Sequence, residues 1–163
     1  MSDRQVIATE LLKGQGLGNQ LFCYVTTRCL AMQNHCEFAI LNREILANNI
    51  HSNKGMYFMD IDCGLDMKKE EFSEIYQEKE DRIYLGNSIH DIEHGCYISG
   101  VDEKLLNLNQ SILVYGNMQE EAYFGQYKEE IKQWLKVKPE YDNYEYSRDN
   151  LCIINIRGGE YTS

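Results

Sequence analysis

A glycine-rich segment near the start of the chain has the residue types of a ligand-binding loop. Residues 13–22 read KGQGLGNQLF and follow a short apolar run. Glycine tolerates positive φ angles and close approach of a ligand, and a helix that begins after such a loop presents N–H groups to an anion. Asn19 is also a predicted N-cap of that helix. The candidate ligand-binding residues are Gly16, Gly18, Asn19 and Gln20.

The same loop departs from two familiar nucleotide-binding patterns. Asn19 occupies the position of the third glycine in the dinucleotide motif G-x-G-x-x-G. The G-K-[ST] sequence of a Walker loop is also missing from this segment. Taken alone, the loop is therefore also consistent with a tight turn that leads into a capped helix and binds no ligand.

An apolar run near the other end of the chain leads into a charged pair. Residues 151–161 read LCIINIRGGEY, so Arg157 follows the run directly and Glu160 lies three residues later. Ligands of parallel sheets bind beyond the carboxyl ends of strands, and the arginine fork donates two hydrogen bonds to a phosphate. Arg157 is therefore a candidate phosphate ligand, and Glu160 could orient it or contact a hydroxyl. The alternative is a surface Arg–Glu pair within a turn.

Apolar periodicity predicts that strands and helices alternate along the chain. The predicted strands are residues 6–12, 36–41, 111–115 and 151–156, with shorter extended pieces within 81–88 and 93–99. The predicted helices are residues 19–35, 67–77 and 124 to about 137, just before Pro139. A strand, a helix and a strand in succession favour a parallel sheet. We therefore predict a Rossmann-like α/β domain with a mostly parallel sheet flanked by helices, and a linker at residues 141–150.

Composition narrows the class of protein. The net charge of −10 argues against a nucleic-acid binder, because nucleic acids reward clustered Lys and Arg. The charged N-terminus lacks the apolar core of a signal peptide, and no apolar run approaches the length of a membrane span. These features predict a cytoplasmic protein. Its six cysteines show no C-x-x-C spacing and are predicted to be reduced thiols.

Three segments together carry a family resemblance. Besides residues 13–22, these are residues 115–124 (YGNMQEEAYF) and 155–161 (NIRGGEY). In that order they resemble the G-G-L-G-N-Q-L-F, G-Y-x-Q-S-x-x-Y-F and H-x-R-R-G-D-Y segments of the α-1,2-fucosyltransferases, glycosyltransferase family 11. The matching positions of the second and third segments are Gly116, Gln119, Tyr123, Phe124, Arg157, Gly159 and Tyr161. The likeness spans nearly the whole chain.

The third segment departs from the family motif at several positions. Asn155 stands where the family has His, Gly158 replaces the second Arg, and Glu160 replaces Asp. Losing an Arg and a His is expected to weaken a phosphate site. The first Arg of the motif is matched by Arg157.

The resemblance implies a GT-B architecture, in which two Rossmann-like domains face each other across a cleft. By this likeness the chain would be an N-terminal portion of a family enzyme, and its larger domain would face the acceptor. The implied division is an acceptor-side domain at residues 1–140, a linker at 141–150 and the start of a GDP-sugar-binding domain at 151–163.

The implied reaction is an inverting displacement at C1 of fucose, in which a galactose-type hydroxyl attacks while GDP leaves. Charge grows on the β-phosphate, and a fixed cation stabilises it. By resemblance Arg157 is the catalytic cation, and the substrate-binding residues are Gly16, Gly18, Asn19, Gln20, Asn155 and Glu160. The implied partners are GDP-fucose and a galactose-containing glycan, with peripheral contact to membrane-linked glycan precursors at the inner membrane face. No metal or other cofactor is implied.

Two other readings stay open at this point. His90, Glu93 and His94 spell H-x-x-E-H, a spacing known from zinc peptidases. Gly86 and Gly95 bracket that segment and leave little room for a helix, which favours loop histidines. The second reading is a catalytically degenerate, glycan-binding half-domain without transferase activity, which the altered third motif supports.

Overall fold

A computed structural model of the chain describes residues 4–47, 56–79, 83–84, 97–98, 101–142, 145 and 149–152. The strands are β1 (Val6–Glu10), β2 (Glu37–Leu41), β3 (Met59–Asp60), β4 (Ile75–Gln77), β5 (Ile83–Tyr84), β6 (Tyr97–Ile98), β7 (Ile112–Tyr115) and β8 (Lys136–Val137). The α-helices are α1 (Leu17–Gln33), α2 (Glu44–Ala47), α3 (Glu103–Leu106), α4 (Glu121–Phe124) and α5 (Lys128–Trp134). Short 3-10 segments cover Lys69–Glu71, Gly125–Tyr127 and Pro139–Tyr141.

A parallel sheet with the strand order β2-β1-β7-β4 forms the centre of the fold. Ile7 in β1 lies between Phe38 of β2 and Ile112 of β7, and Ile75 of β4 pairs with Leu113 of β7. The nearly continuous apolar run of β1 is typical of a strand covered on both faces. The predicted α/β class with a parallel sheet flanked by helices is confirmed in this part of the chain.

The two faces of the sheet bury different apolar clusters. On one face Ile7 packs with Leu30 and Ala31 of α1. On the other face Ala8 and Leu113 pack with Phe72. Burial of these side chains supplies the main driving force for the fold, at about 25 cal/mol per Å² of apolar surface.

Helix α1 begins earlier than the sequence predicts. Gly16 is its N-cap, with φ −68° and ψ 157°, and the Gly16 carbonyl accepts the first helical hydrogen bond from the Gln20 N–H at 3.0 Å. The prediction that Asn19 caps this helix is therefore wrong. Asn19 is the third residue of α1, and its exposed side chain is left for contacts outside the helix.

The predicted helix at residues 67–77 is also wrong. The segment forms the Lys69–Glu71 turn and then strand β4, which pairs along β7 at the edge of the sheet. Ile75 is 51% exposed, as an edge strand with one open side allows. Glu71 and Lys79 of the charged run around it are exposed, whereas Glu78 is buried, so this run is not the solvated face of a helix.

The predicted helix from residue 124 to about residue 137 is broken into shorter pieces, and its last residues form strand β8. Helix α4 ends at Phe124, the Gly125–Tyr127 segment is 3-10, and α5 follows. Gly125 stands at the break, where its low helix propensity favours the tighter turn. Ile131 and Trp134 of α5 pack against the core cluster around Tyr24.

Arg28 braces α1 against its neighbours. Its guanidinium carbon lies 5.0 Å from the ring centroid of Phe38 and 4.3 Å from that of Trp134. Nη1 also donates to the Tyr24 hydroxyl at 2.6 Å, and Nη2 lies 3.6 Å from Asp62 Oδ2. Trp134 is therefore occupied in packing and cation–π contact.

The other predictions have mixed outcomes. The extended pieces within 81–88 and 93–99 are confirmed as far as β5 and β6, which pair in antiparallel fashion. Leu151 and Cys152 are exposed and outside any strand, and residues 153–156 of the predicted last strand lie outside the described residues. Cys23, Cys29, Cys36, Cys63 and Cys152 are free thiols. In the described part of the chain, no helix is both long and apolar enough to cross a bilayer.

Candidate functional site

A cleft of 410 Å³ opens where the strands of the parallel sheet end. From β1 the chain passes to β2 on one side, whereas β7 and β4 lie on the other side. The cleft between the ends of β1 and β7 is therefore a topological switch point, the usual ligand site of open α/β sheets. Its lining residues are Thr9, Glu10, Leu12, Lys13, Gln15, Asn19, Cys23, Gln77, Tyr115, Gly116 and Asn117.

The glycine-rich loop forms one wall of this cleft. The Gln15 N–H donates to the Leu12 carbonyl at 3.1 Å, and the Leu12 N–H donates to Gln15 Oε1 at 3.2 Å. Gly14, inside this turn, has a φ of +89°, a value that side chains other than glycine rarely adopt. The turn therefore requires glycine at position 14. The glycines predicted from sequence to bind a ligand, Gly16 and Gly18, follow this turn.

A hydrogen bond to Asn19, which lines the cleft, joins two distant segments. Gln119 Nε2 donates to Asn19 Oδ1 at 3.0 Å, over a separation of 100 residues. Asn19 belongs to the first motif segment, and Gln119 belongs to the second. Both side chains are exposed, but only Asn19 of the pair lines the cleft, so Asn19 is the one that remains accessible to a ligand there.

Gln119 is placed by a strained residue just before it. Met118 is buried, with a φ of +51°, in the left-handed region that non-glycine residues seldom occupy. Glu78 Oε2 accepts the Met118 N–H at 2.8 Å, and the Thr26 hydroxyl donates to the Met118 carbonyl at 2.8 Å. Such strain persists only where surrounding contacts over-determine it, and it clusters at functional sites. The loop after β7 is thus held in one conformation.

A buried polar network continues from Glu78 behind this loop. Asp102 is 7% exposed and accepts from the Tyr76 hydroxyl at 2.8 Å and from the Lys79 N–H at 2.8 Å. The Tyr123 hydroxyl accepts the Asp102 N–H at 2.7 Å. Burial, followed by the hydrogen bond to Asp102, raises the pKa of Tyr76 to about 12, so its hydroxyl stays a donor. Burial is also the main cause that raises the pKa of Tyr123.

Asp102 is held ionised by its donors. Burial alone would raise the pKa of Asp102. Hydrogen bonds from the Lys79 N–H, the Tyr76 hydroxyl and the Lys104 N–H together have the larger, opposite effect, so the net pKa lies below 3.8. The Lys104 contact, 3.1 Å from Oδ1, also caps helix α3. A carboxylate whose pKa is lowered by folding stabilises the fold at neutral pH and loses that contribution in acid.

Asp102→Asn is expected to reduce the free energy of unfolding at pH 7 by about 2 kcal/mol, because an amide cannot accept from all three donors. Urea denaturation of both proteins between neutral pH and pH 3 should show this difference. The gap should narrow as the pH falls below 3.8, because Asp102 of the unfolded chain then takes up a proton more readily than the folded carboxylate does. Asp66→Asn is the control, because the Asp66 side chain is 93% exposed and its surface ion pair adds little. A gap that stays constant with pH would contradict this account.

The residues predicted from sequence fall into three groups. Asn19 lines the cleft. Gln20 is buried and donates to the Gln15 carbonyl at 2.8 Å, while Gly16 and Gly18 are exposed but outside the lining. Gly18 lies instead at an apolar groove between α1 and α5. The predicted residues Asn155, Arg157, Glu160, His90 and His94 lie outside the described residues.

Sequence reasoning missed several lining residues, above all Glu10 and Tyr115. Both are the last residues of parallel strands, so both lie at the carboxyl ends of the strands, where ligands of such sheets bind. A polar residue at the end of an apolar strand was the available signal. Tyr115 donates a hydrogen bond from its hydroxyl to Glu10 Oε2.

No protein-family model, curated protein or solved structure significantly matches this chain. The chemistry of the cleft must therefore be judged from its lining.

Carboxamides dominate the polar lining. They are Gln15, Asn19, Gln77 and Asn117. Each carboxamide both donates and accepts, as a sugar hydroxyl does. Among the described residues that line the cleft, Glu10 is the carboxylate and Lys13 the cation. Such a lining suits a neutral, polyhydroxylated ligand better than a diphosphate. The described residues also contain no group of three His, Cys, Asp or Glu side chains arranged to hold a metal ion.

Proposed function

We propose that this chain forms the acceptor-binding part of an inverting glycosyltransferase similar to the α-1,2-fucosyltransferases. The donor is GDP-fucose and the acceptor is a galactose-containing glycan, with the GT-B arrangement implied by the motifs. The observation that carries the proposal is the hydrogen bond between Gln119 and Asn19. Two of the three motif segments meet through it at a ligand cleft.

The neutral lining of the cleft supports an acceptor glycan at this position. Each carboxamide can donate one hydrogen bond to a sugar hydroxyl and accept another, so the lining offers paired contacts to a polyhydroxylated ligand. The diphosphate of the donor needs cations, and the proposed cation is Arg157 in the third motif segment. In the reaction, the acceptor oxygen bonds to C1 of fucose while GDP leaves, and Arg157 stabilises the departing phosphate.

A glycan-binding protein without transferase activity is the second candidate. The specific observation in its favour is the same lining, in which Lys13 is the cation among the described residues. A binding protein needs the carboxamides and the turn at Gly14, but it has no use for a phosphate-binding arginine. Turnover separates the two candidates.

The test uses protein expressed from its complete reading frame. Binding of methyl β-galactoside is measured by titration calorimetry, and transfer is measured with GDP-fucose and the same acceptor. Fucosylated product supports the transferase. Binding of the galactoside without product supports the second candidate. If the protein neither binds the galactoside nor forms product, both candidates are excluded.

Asn19→Ala is expected to weaken galactoside binding about tenfold, because it removes a hydrogen-bonding group from the cleft and releases Gln119. Stability should change little, since both side chains are exposed. Gln126→Ala is the matched control, because the exposed Gln126 amide donates to Gln33 at 3.4 Å. Gln33 is the last residue of α1 and lies about 20 Å along that helix from Asn19. Calorimetric titration of both variants checks the prediction, and equal affinities for the two would contradict it.

A further inference from the structure

Glu10 occupies a position shared by two clefts. It is the last residue of β1 and lines both the 410 Å³ cleft and a neighbouring cleft of 370 Å³ beyond the end of β2. Its side chain is 18% exposed. A glycan longer than one ring, seated across both clefts, would pass directly beside this carboxylate.

Donors from three separate segments of the chain contact the Glu10 carboxylate. Asn42 Nδ2 donates to Oε1 at 2.8 Å, and the Tyr115 hydroxyl donates to Oε2. The Lys69 ammonium lies 3.8 Å from Oε2 and 5.1 Å from the centroid of the Tyr115 ring. Because burial, and then the bond to Glu10, raises the pKa of Tyr115, this phenol remains a donor at neutral pH. The carboxylate is therefore both oriented and partnered by donors that suit its ionised form.

Asn42 is itself held in place for this contact. It has a φ of +57°, and its Nδ2 also donates to the Leu11 carbonyl at 3.1 Å. Asparagine tolerates the left-handed region better than most residues, but the conformation still costs free energy. The bonds to Glu10 and Leu11 offset that cost, so the Glu10 side chain is held by a rigid neighbour.

An ionised carboxylate offers about four lone-pair positions, and the three donors leave acceptor capacity for a ligand. Among the described residues that line the larger cleft, the other polar groups are carboxamides, hydroxyls, a thiol and Lys13. Burial raises the pKa of the thiol, Cys23, to about 11. None of these groups takes up a proton as readily near neutral pH as a carboxylate does.

We propose that Glu10 receives the acceptor hydroxyl of the glycan and takes its proton during transfer, an inference that rests on the proposed function. The hydroxyl oxygen forms the bond to C1 of the donor sugar. The bond between C1 and the phosphate oxygen breaks, and its electron pair leaves with the nucleoside diphosphate. The hydroxyl proton passes to an oxygen of Glu10. Tyr115, Asn42 and Lys69 are positioning residues that aim the carboxylate.

The test is Glu10→Gln in protein expressed from its complete reading frame, with methyl β-galactoside and GDP-fucose as substrates. The amide keeps the shape of the side chain but cannot take the proton. We expect kcat to fall 10²–10⁴-fold, the acceptor KM to change less than about threefold, and the acid limb of the pH–rate profile to vanish. Glu37→Gln is the control, because Glu37 is the first residue of β2 and pairs with Val6, at the end of the strands away from Glu10.

Tyr115→Phe keeps the proposal testable if Glu10→Gln does not fold. It leaves the carboxylate in place and removes one of its donors. We expect kcat to fall about tenfold with little change in the acceptor KM, because this donor no longer aims the carboxylate at the hydroxyl. An unchanged kcat in this variant, or in a folded Glu10→Gln protein, would overturn the role of Glu10 and leave the transferase standing. Absence of transfer by the wild-type protein would overturn both.

Discussion

Gly116→Ala is expected to lower the free energy of unfolding by roughly 3 kcal/mol and to displace Gln119 from Asn19. A Cβ atom at position 116 would stand 2.5 Å from Cβ of Glu78 and closer still to its Oε2. Glu78 is 4% exposed, and its Oε2 holds the Met118 N–H at 2.8 Å. It cannot move aside without giving up that bond, and the strained conformation of Met118 depends on it.

Urea denaturation measures the stability change, and galactoside titration measures the consequence for the cleft. Gly18→Ala is the matched control, because a Cβ at position 18 meets no atom within 4 Å. In the first turns of α1, alanine should be neutral or stabilising by up to about 1 kcal/mol. A Gly116→Ala protein as stable as Gly18→Ala would mean that Glu78 does not constrain the loop after β7.

Arg157→Ala is expected to reduce the rate of fucose transfer about 10²–10³-fold in protein expressed from its complete reading frame. The proposed role of Arg157 is to neutralise the charge that develops on the departing phosphate, and removal of one such donor has an effect of this size. Steady-state kinetics with GDP-fucose and methyl β-galactoside test it. The affinity for the galactoside alone should be unchanged, because the acceptor binds among the carboxamides.

Arg4→Ala is the control for lost positive charge. Arg4 pairs with Glu37 at 3.0 Å, its side chain is 77% exposed, and it lies at the amino edge of the sheet. Its removal should leave transfer within about twofold of the wild-type rate. Near-normal turnover by Arg157→Ala would contradict the proposal that Arg157 stabilises the departing phosphate. Weakened galactoside binding by this variant would instead indicate that Arg157 contacts the acceptor.

The first half of the sheet could be predicted from sequence because its elements carry strong local patterns. Strand β1, helix α1 and strand β2 follow one another with a change from strand to helical period, and β7 is a compact apolar run. Strand β4 could not be predicted, since a three-residue strand within a charged segment is too short to show a period. The pieces between 121 and 134 share one apolar face, so periodicity alone does not reveal their interruption at Gly125.

The candidate site was partly visible for the same reason. The glycine loop and Asn19 are local signals, and both line the cleft. The surroundings of Glu10 are not local: Asn42 lies 32 residues away and Tyr115 lies 105 residues away. Only the parallel register of β1 with β2 and β7 brings them together. Similarly, Gly14 must adopt a left-handed conformation because of the hydrogen bonds of its turn, and the sequence of the loop does not specify those bonds.

The pairing of Ile7 with Ile112 has a consequence for how the protein is made. One of the two neighbours of β1 is synthesised about a hundred residues after it. Until then the growing polypeptide has an open hydrogen-bonding edge at a largely apolar strand, which favours association with other chains. Contacts this distant in sequence also slow folding. Shielding of the nascent chain by a chaperone should therefore raise the yield of native protein most during synthesis of the segment between β2 and β7.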